Sequence, residues 1–190
     1  MNNNFLITIH DYESNDTKNN WMDIEDFIEN KGIKYIDEYY DVETNFISTV
    51  KNFSDFFSKN KYFNSLAGKV EIYEYGSDYN FYGLDGDYKN LKELNNYNFN
   101  YMSDSEKEFI YRCQCRGMCS LWLIDVLSMS YIKNAMDPFF LHVYLDPKIK
   151  FKSIFKQTSN VHYYYDKDTL NTNENYVYPR NCGEKILDIS

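Results

Sequence analysis

The stretch from Phe109 to Met136 constrains this chain more than any other. It is dense in apolar residues and is broken inside only by Gly117. Asp137-Pro138 stops it, because the residue before a proline is pushed out of the helical region. Ser103 with Glu106, or Ser105 with Glu108, can form a capping box that opens a helix just ahead of it. Two foldings fit. One is a single long buried helix interrupted at Gly117. The other is a strand over Phe109–Gln114, a turn at Gly117 and then a helix reaching Asn134. Beyond Pro138 the pattern turns β-rich. Phe139–Leu145 reads as a strong strand, Lys148–Phe155 alternates through Ile149 and Phe151, and Val161–Tyr165, Tyr176–Tyr178 and Lys185–Ile189 read as further strands.

The first half is mixed. Phe5–Ile9 is a short, partly β-branched apolar run and predicts a buried first strand. Asn20 is placed to cap a short helix in which Trp21, Ile24, Phe27 and Ile28 share a face, ending at Gly32. Ile33–Tyr40 reads as a strand. Thr44–Ser58 reads as a helix, with Phe46, Val50, Phe53 and Phe57 at helical spacing. Lys69–Tyr75 reads as a strand, Gly76–Asp87 as a hairpin or loop, and the Asn-rich Asn95–Asn100 as a loop. The fold class is therefore α+β, with mixed N-terminal helices and strands packed on a C-terminal β-rich half. A chain of 190 residues fits a single domain, in which residues 1–100 can form a lobe on a core over 101–190.

Composition narrows the function. A chain that is 43% hydrophobic and 19% aromatic buries a real core. Its net charge of −9 argues against direct nucleic-acid binding and against an anionic membrane, since phosphates need a basic face. The start, Met1–Asn4, is polar and lacks a basic segment followed by an apolar run. The expected compartment is the cytoplasm of the producing cell, or of a host cell if the protein is delivered. There Cys113, Cys115, Cys119 and Cys182 stay thiols. The first three have the ligand type for zinc but lack a second pair at finger spacing, so they read as small buried hydrophobes rather than as a metal site. His10, His142 and His162 are scattered and sit in no catalytic signature.

One ordered set of residues does carry chemistry. Tyr111-Arg112-Cys113-Gln114-Cys115-Arg116 comes first and Ser128-Met129-Ser130 follows. Glu174-Asn175-Tyr176-Val177-Tyr178-Pro179-Arg180, running on to Lys185–Ile189, closes the chain. This order resembles the Arg–Ser–Glu class of mono-ADP-ribosyltransferases, in which an Arg ends a strand, a Ser-x-Ser strand follows and a Glu precedes a late apolar strand. The resemblance implies an ADP-ribosyltransferase-like split sheet and NAD as substrate. It implies that Arg112, with Arg116 beside it, grips a phosphate and ribose oxygens as a bidentate fork. Ser128 and Ser130 would orient that fork and brace the nicotinamide pocket. Glu174 would be the catalytic carboxylate, stabilising the oxocarbenium-like sugar left when nicotinamide departs. ADP-ribose would then pass to a protein or other macromolecule. Asn175, not Glu174, stands directly before the strand, and a one-residue shift turns a strand side chain to the other face. An inactive relative is therefore also implied. The local reading of Arg112 and Arg116 leaves a second option, because residues four apart share one face of a helix.

A different class fits the same chain. An immunity protein, an antitoxin or a phage-encoded inhibitor that blocks a basic partner needs only an acidic face and aromatic anchors. Asp23, Glu25, Asp26, Glu29, Asp37, Glu38, Asp41 and Glu43 supply such a face in the first half. The expected partner on either reading is a protein, a modified target in one case and a cognate toxin in the other.

Overall fold

The architecture is that of a computed structural model, which describes residues 3–12, 21–59, 65–73, 99–134, 137–166 and 182–186. The fold is α+β. Its strands are β1 (Asn4–Thr8), β2 (Leu66–Ile72), β3 (Cys119–Asp125), β4 (Tyr131–Asn134), β5 (Phe140–Tyr144), β6 (His162–Asp166) and β7 (Cys182–Lys185). Its helices are α1 (Ile24–Lys31), α2 (Ile36–Ser58), α3 (Asp104–Cys115) and the single turn α4 (Phe151–Ile154), with 3-10 turns at Ile33–Tyr35 and Phe99–Tyr101.

The seven strands among the described residues join one antiparallel sheet in the order β2-β3-β4-β5-β1-β6-β7. The first strand of the chain thus lies between strands of the C-terminal third. Register assigns each row of side chains to one face, because residues paired across an antiparallel ladder point the same way. Leu123, Ile132, Val143 and Phe5 form one row, and all four belong to the main core. The adjacent row, Trp122, Lys133, His142, Leu6 and Tyr164, points to the opposite face. There Leu6, Phe140 and Tyr164 make a small separate cluster.

Helix α2 supplies most of the other side of the core. Tyr39, Val42, Phe46, Val50, Phe53 and Phe57 recur at helical spacing and are all buried. Trp21 stands edge-on to Phe27 and Phe139, with ring centroids 5.1 and 5.4 Å away, and meets Tyr39 at 5.2 Å. Such tilted aromatic pairs contribute beyond the area they bury. No helix among the described residues is long and apolar enough to cross a membrane.

The region around Gly117 departs from both expected foldings. Phe109–Gln114 is not a strand but part of α3, and the Ser120–Asn134 segment is a hairpin rather than a helix. Two local devices fix this. At its start α3 has the expected capping box: Ser103 caps Glu106 N and the Glu106 carboxylate accepts from Ser103 N at 2.6 Å. At its end Gly117 takes φ +70, Gly117 N donates to Gln114 O at 3.1 Å and Met118 N donates to Cys113 O at 2.9 Å. That pair of bonds is a Schellman motif, which ends a helix sharply and turns the chain into β3. Elsewhere Ile33–Tyr40 is a 3-10 turn and the first turn of α2, not a strand, because Ile36, Tyr39, Tyr40 and Glu43 keep a helical spacing. Lys148–Phe155 is a turn followed by α4, which buries Phe151, Ile154 and Phe155 at three- and four-residue steps. The cap of α1 is Asp23, whose side chain accepts from Asp26 N. Gly76–Asp87 and Tyr176–Tyr178 lie outside the described residues.

Candidate functional site

Arg112 sits in the last turn of α3 and Arg116 is its C-cap, and both face α2. Glu43, fully buried on α2, receives them. Arg116 Nε donates to Glu43 Oε1 at 2.7 Å and Arg116 Nη2 to Glu43 Oε2 at 3.1 Å. Arg112 Nη1 donates to the same Oε2 at 2.9 Å. Burial alone would lower the Arg116 pKa, and the hydrogen bonds to Glu43 offset this and hold it above its ordinary value. Tyr39 Oη donates to Cys115 O at 3.0 Å, and the Arg116 guanidinium lies 5.5 Å from the Tyr40 ring centroid. Further out, Glu108 pairs with Lys51 of α2 and, at 3.4 Å, with Arg112. The two arginines therefore clamp α3 onto α2, and their donors are directed at an acid of the chain itself.

Ser128 and Ser130 occupy the turn between β3 and β4. Asp125 Oδ2 accepts from Ser128 N at 2.7 Å and from the Ser128 hydroxyl at 2.5 Å. Ser130 Oγ lies 2.9 Å from Ser128 Oγ and accepts from Asp146 N at 2.9 Å. Two backbone bonds close the loop, Asp125 N to Ser130 O at 2.8 Å and Met129 N to Asp125 O at 2.7 Å. Met129 takes φ +60, a left-handed conformation that costs a non-glycine residue about 1–2 kcal/mol. The serines thus organise a tight turn and tie it to the Asp146–Lys148 turn.

The arginine pair precedes β3 and the serine pair follows it. Seven residues of strand hold their ends roughly 20 Å apart. The arrangement gathers Arg112 with Arg116, and Ser128 with Ser130, but does not gather the two pairs. Glu174 and Asn175 lie outside the described residues.

Cys113, Cys115 and Cys119 are buried thiols. Desolvation pushes Cys115 and Cys119 well above the ordinary thiol range, which makes them poor nucleophiles and poor ligands. Among the described residues no group of three His, Cys, Asp or Glu side chains could hold a metal ion. His10 Nε2 pairs with Asp137 Oδ2 at 3.2 Å and His142 Nδ1 with Asp166 Oδ2 at 3.6 Å, so each tethers neighbouring elements.

Among the described residues two exposed surfaces group acidic or large apolar side chains. The first is the α1–α2 corner. Glu29, Asp37, Glu38 and Asp41 are exposed there, interspersed with Met22, Ile33 and Tyr35 at 44%, 57% and 43% exposure. Asp23 and Asp26 are taken up by capping bonds, and Glu43 points inward, so the acidic face is narrower than the sequence implies. The Glu25 carboxyl is raised, first by partial burial and then by Asp23 and Glu29 beside it, and Lys31 pairs with Glu38 at 3.3 Å. The second surface is the β3–β4 hairpin, which exposes Trp122, Val126, Leu127, Met129 and Tyr131. The sequence reading did not mark this one, because it ran the segment as a helix to Asn134 or, by the resemblance, took Ser128-Met129-Ser130 as a strand. The Ser-x-Ser bracket around Met129 was the signal of a turn.

No protein-family model, no curated protein and no solved structure matches the chain.

Proposed function

We propose that the chain is a non-enzymatic, acidic binding protein that docks on a basic protein and blocks it, as an immunity protein, an antitoxin or a phage-encoded inhibitor would. The observation that carries this reading is the α1–α2 corner. Its exposed carboxylates Glu29, Asp37, Glu38 and Asp41 stand among exposed Ile33 and Tyr35, on a chain of net charge −9. Acidic groups steer a basic partner into encounter, and apolar side chains among them supply the area that holds it. Arg112 and Arg116 are engaged within the fold, both by Glu43 and Arg112 also by Glu108.

The transferase reading needs Arg112, Arg116, Ser128, Ser130 and Glu174 around one NAD molecule. The engagement of both arginines by Glu43, and the length of β3 between them and the serines, support the binding reading over it.

The test has two arms. The tagged chain is purified at low salt from the cell that produces it, beside the variant Asp37→Asn/Glu38→Gln/Asp41→Asn. The expected result is a basic protein that accompanies the wild type and is lost with the variant. Its association rate should fall steeply as ionic strength rises. In the second arm, calorimetry with millimolar NAD should give no binding heat. NAD binding that disappears in Arg112→Ala, with nicotinamide release that disappears in Glu174→Gln, would overturn the proposal in favour of the transferase.

A further inference from the structure

We infer that the segment His10–Tyr12 is an acid-releasable strap, latched across β6 and β7 on the face of the sheet opposite the main core and freed when His162 beside it takes up a proton. The inference does not depend on the binding reading above.

The chain bends at Ile9, just past β1, and turns onto β6. Tyr164 belongs to that opposite face and is fully buried there. Its hydroxyl is the centre of the latch. Tyr164 Oη accepts from Tyr12 N at 2.9 Å, and lies 3.1 Å from Asp11 Oδ1 and 3.4 Å from His10 O. The Tyr12 ring packs on the Tyr164 ring, centroid to centroid 5.6 Å. From β7, Lys185 Nζ pairs with Asp11 Oδ1 at 2.7 Å. At the near end of the strap, His10 Nε2 meets Asp137 Oδ2 at 3.2 Å. The strap is therefore fastened to β6, to β7 and to the turn before β5 by polar contacts, two of which involve charge.

His162 stands inside this arrangement. It pairs with Thr8 in the β1–β6 register and is two positions from Tyr164, so both side chains leave β6 on the same face. Lys185 is opposite Tyr164 in the β6–β7 register, which makes it the diagonal neighbour of His162. The charged groups facing His162 are Lys185 from β7 and His10 and Asp11 from the strap; β1 offers only the uncharged Thr8. Among the described residues no carboxylate forms an ion pair with His162.

The pKa of His162 is lowered, first by burial, then by Lys185 and His10, with Asp11 opposing. The imidazole is thus neutral under the closed strap. A proton there sets a cation beside Lys185, whose carboxylate partner Asp11 belongs to the strap itself. Asp137 can answer a charge on His10, so the repulsion centres on Lys185. Opening the strap hydrates the imidazole, and the open form therefore binds the proton more tightly. By linkage the latch is fully closed above the ordinary 6.5 and loosens as pH falls below it. The strand that gives way with the strap is β7, which lies at the edge of the sheet, pairs only with β6 and does so across a register shift between Tyr164 and Asp166. Local opening begins where so few contacts hold an element.

The experiment combines two NMR measurements on the full chain. With three histidines the ring signals are few, and His162 is assigned from its absence in His162→Gln. The wild-type His162 should titrate below 6.5, and Lys185→Met should move its midpoint upward. Hydrogen exchange is then followed at Tyr12 N, bonded to Tyr164 Oη, and at Ile186 N, bonded to Tyr163 O at 2.8 Å. After division by the intrinsic rate at each pH, protection of both amides should fall at least about threefold between about pH 7.5 and pH 5.5, while the amides of β3 and β4 keep theirs. In His162→Gln that fall should vanish. A fall that persists in His162→Gln overturns the latch, and so does a parallel loss across β3 and β4, which would mean that acid acts on the whole fold. A His162 midpoint at or above 6.5, or one that Lys185→Met leaves in place, overturns it as well.

Discussion

Arg116→Ala is the substitution that best tests whether the arginine pair belongs to the scaffold. Glu43 is fully buried and receives three donors, at 2.7 and 3.1 Å from Arg116 and 2.9 Å from Arg112. The Arg116 side chain is only 5% exposed, so truncation removes the nearer partner and leaves a carboxylate facing a void. Breaking a buried pair from one side costs about 3–5 kcal/mol, and the surviving Arg112 contact puts the loss at the lower end, about 3 kcal/mol. For a domain of this size that corresponds to a fall in Tm of roughly 10 °C. Arg112 is 35% exposed and its pair is partly screened, so Arg112→Ala should cost only about 1 kcal/mol. Replacing both buried partners, as Glu43→Leu with Arg116→Met, should recover most of the loss, because no buried charge remains and the part-exposed Arg112 keeps Glu108. Urea unfolding followed by circular dichroism reads all three, with a constant m-value confirming that only stability changed. The reasoning fails if Arg116→Ala is no worse than Arg112→Ala, or if the apolar double variant is worse than Arg116→Ala.

Three more perturbations are informative. Gly68→Ala should destabilise by about 1–3 kcal/mol, since an added Cβ would stand 2.5 Å from Phe99 Cβ and 2.9 Å from Leu123 Cδ2; unfolding at wild-type urea concentration would show that Phe99 moves aside. The His162 pKa is held below its ordinary 6.5, first by burial and then by Lys185 and His10, with Asp11 opposing. The unfolded chain therefore binds that proton at higher pH than the folded one. The contribution is complete above the ordinary value and is lost as pH falls below it. The stability difference between wild type and His162→Gln should change in that direction between about pH 8 and pH 5, and a change of opposite sign refutes it. Finally, in a Cys182→Ser background, Cys113, Cys115 and Cys119 should resist a thiol-exchange reagent at neutral pH until denaturant is added, because all three are buried; prompt labelling in the folded state would contradict the core described here.

Local chemistry was readable where it was strong. The capping box at Ser103, the breaker at Gly117 and the stop at Pro138 are all used by the fold, as are the first strand and the aromatic stripe of α2. What misled was periodicity in short apolar runs. Cys119–Asp125 is nearly continuous in hydrophobicity because the outer face carries Trp122 and Ile124 while the inner face carries Leu121 and Leu123. A strand apolar on both faces cannot be told from a buried helix by pattern alone. The sheet order was out of reach for another reason. β1 pairs with β5 and β6, far away in sequence, and no local signal encodes a partner at that distance.

The candidate site was harder still, because its meaning depended on one misassigned residue. Glu43 was grouped with the surface acids, yet Tyr39, Val42, Glu43 and Phe46 fall on one helical stripe at steps of three, four and seven. An acid on the buried stripe of an amphipathic helix demands a cation inside the protein, since an unpaired buried carboxylate is prohibitively costly. Arg112 and Arg116, four apart on α3, then present two guanidinium groups to a single acid on the facing helix. The same spacing that resembled a nucleotide grip is what a helix clamp requires. With the clamp accounted for, the exposed side chains of the α1–α2 corner, where Glu38 pairs with Lys31 at 3.3 Å, and of the tip from Val126 to Met129 are what remain. The turning of Arg112 and Arg116 inward onto Glu43 weighs against the nucleotide grip, and the exposed carboxylates are what the proposed binding reading rests on.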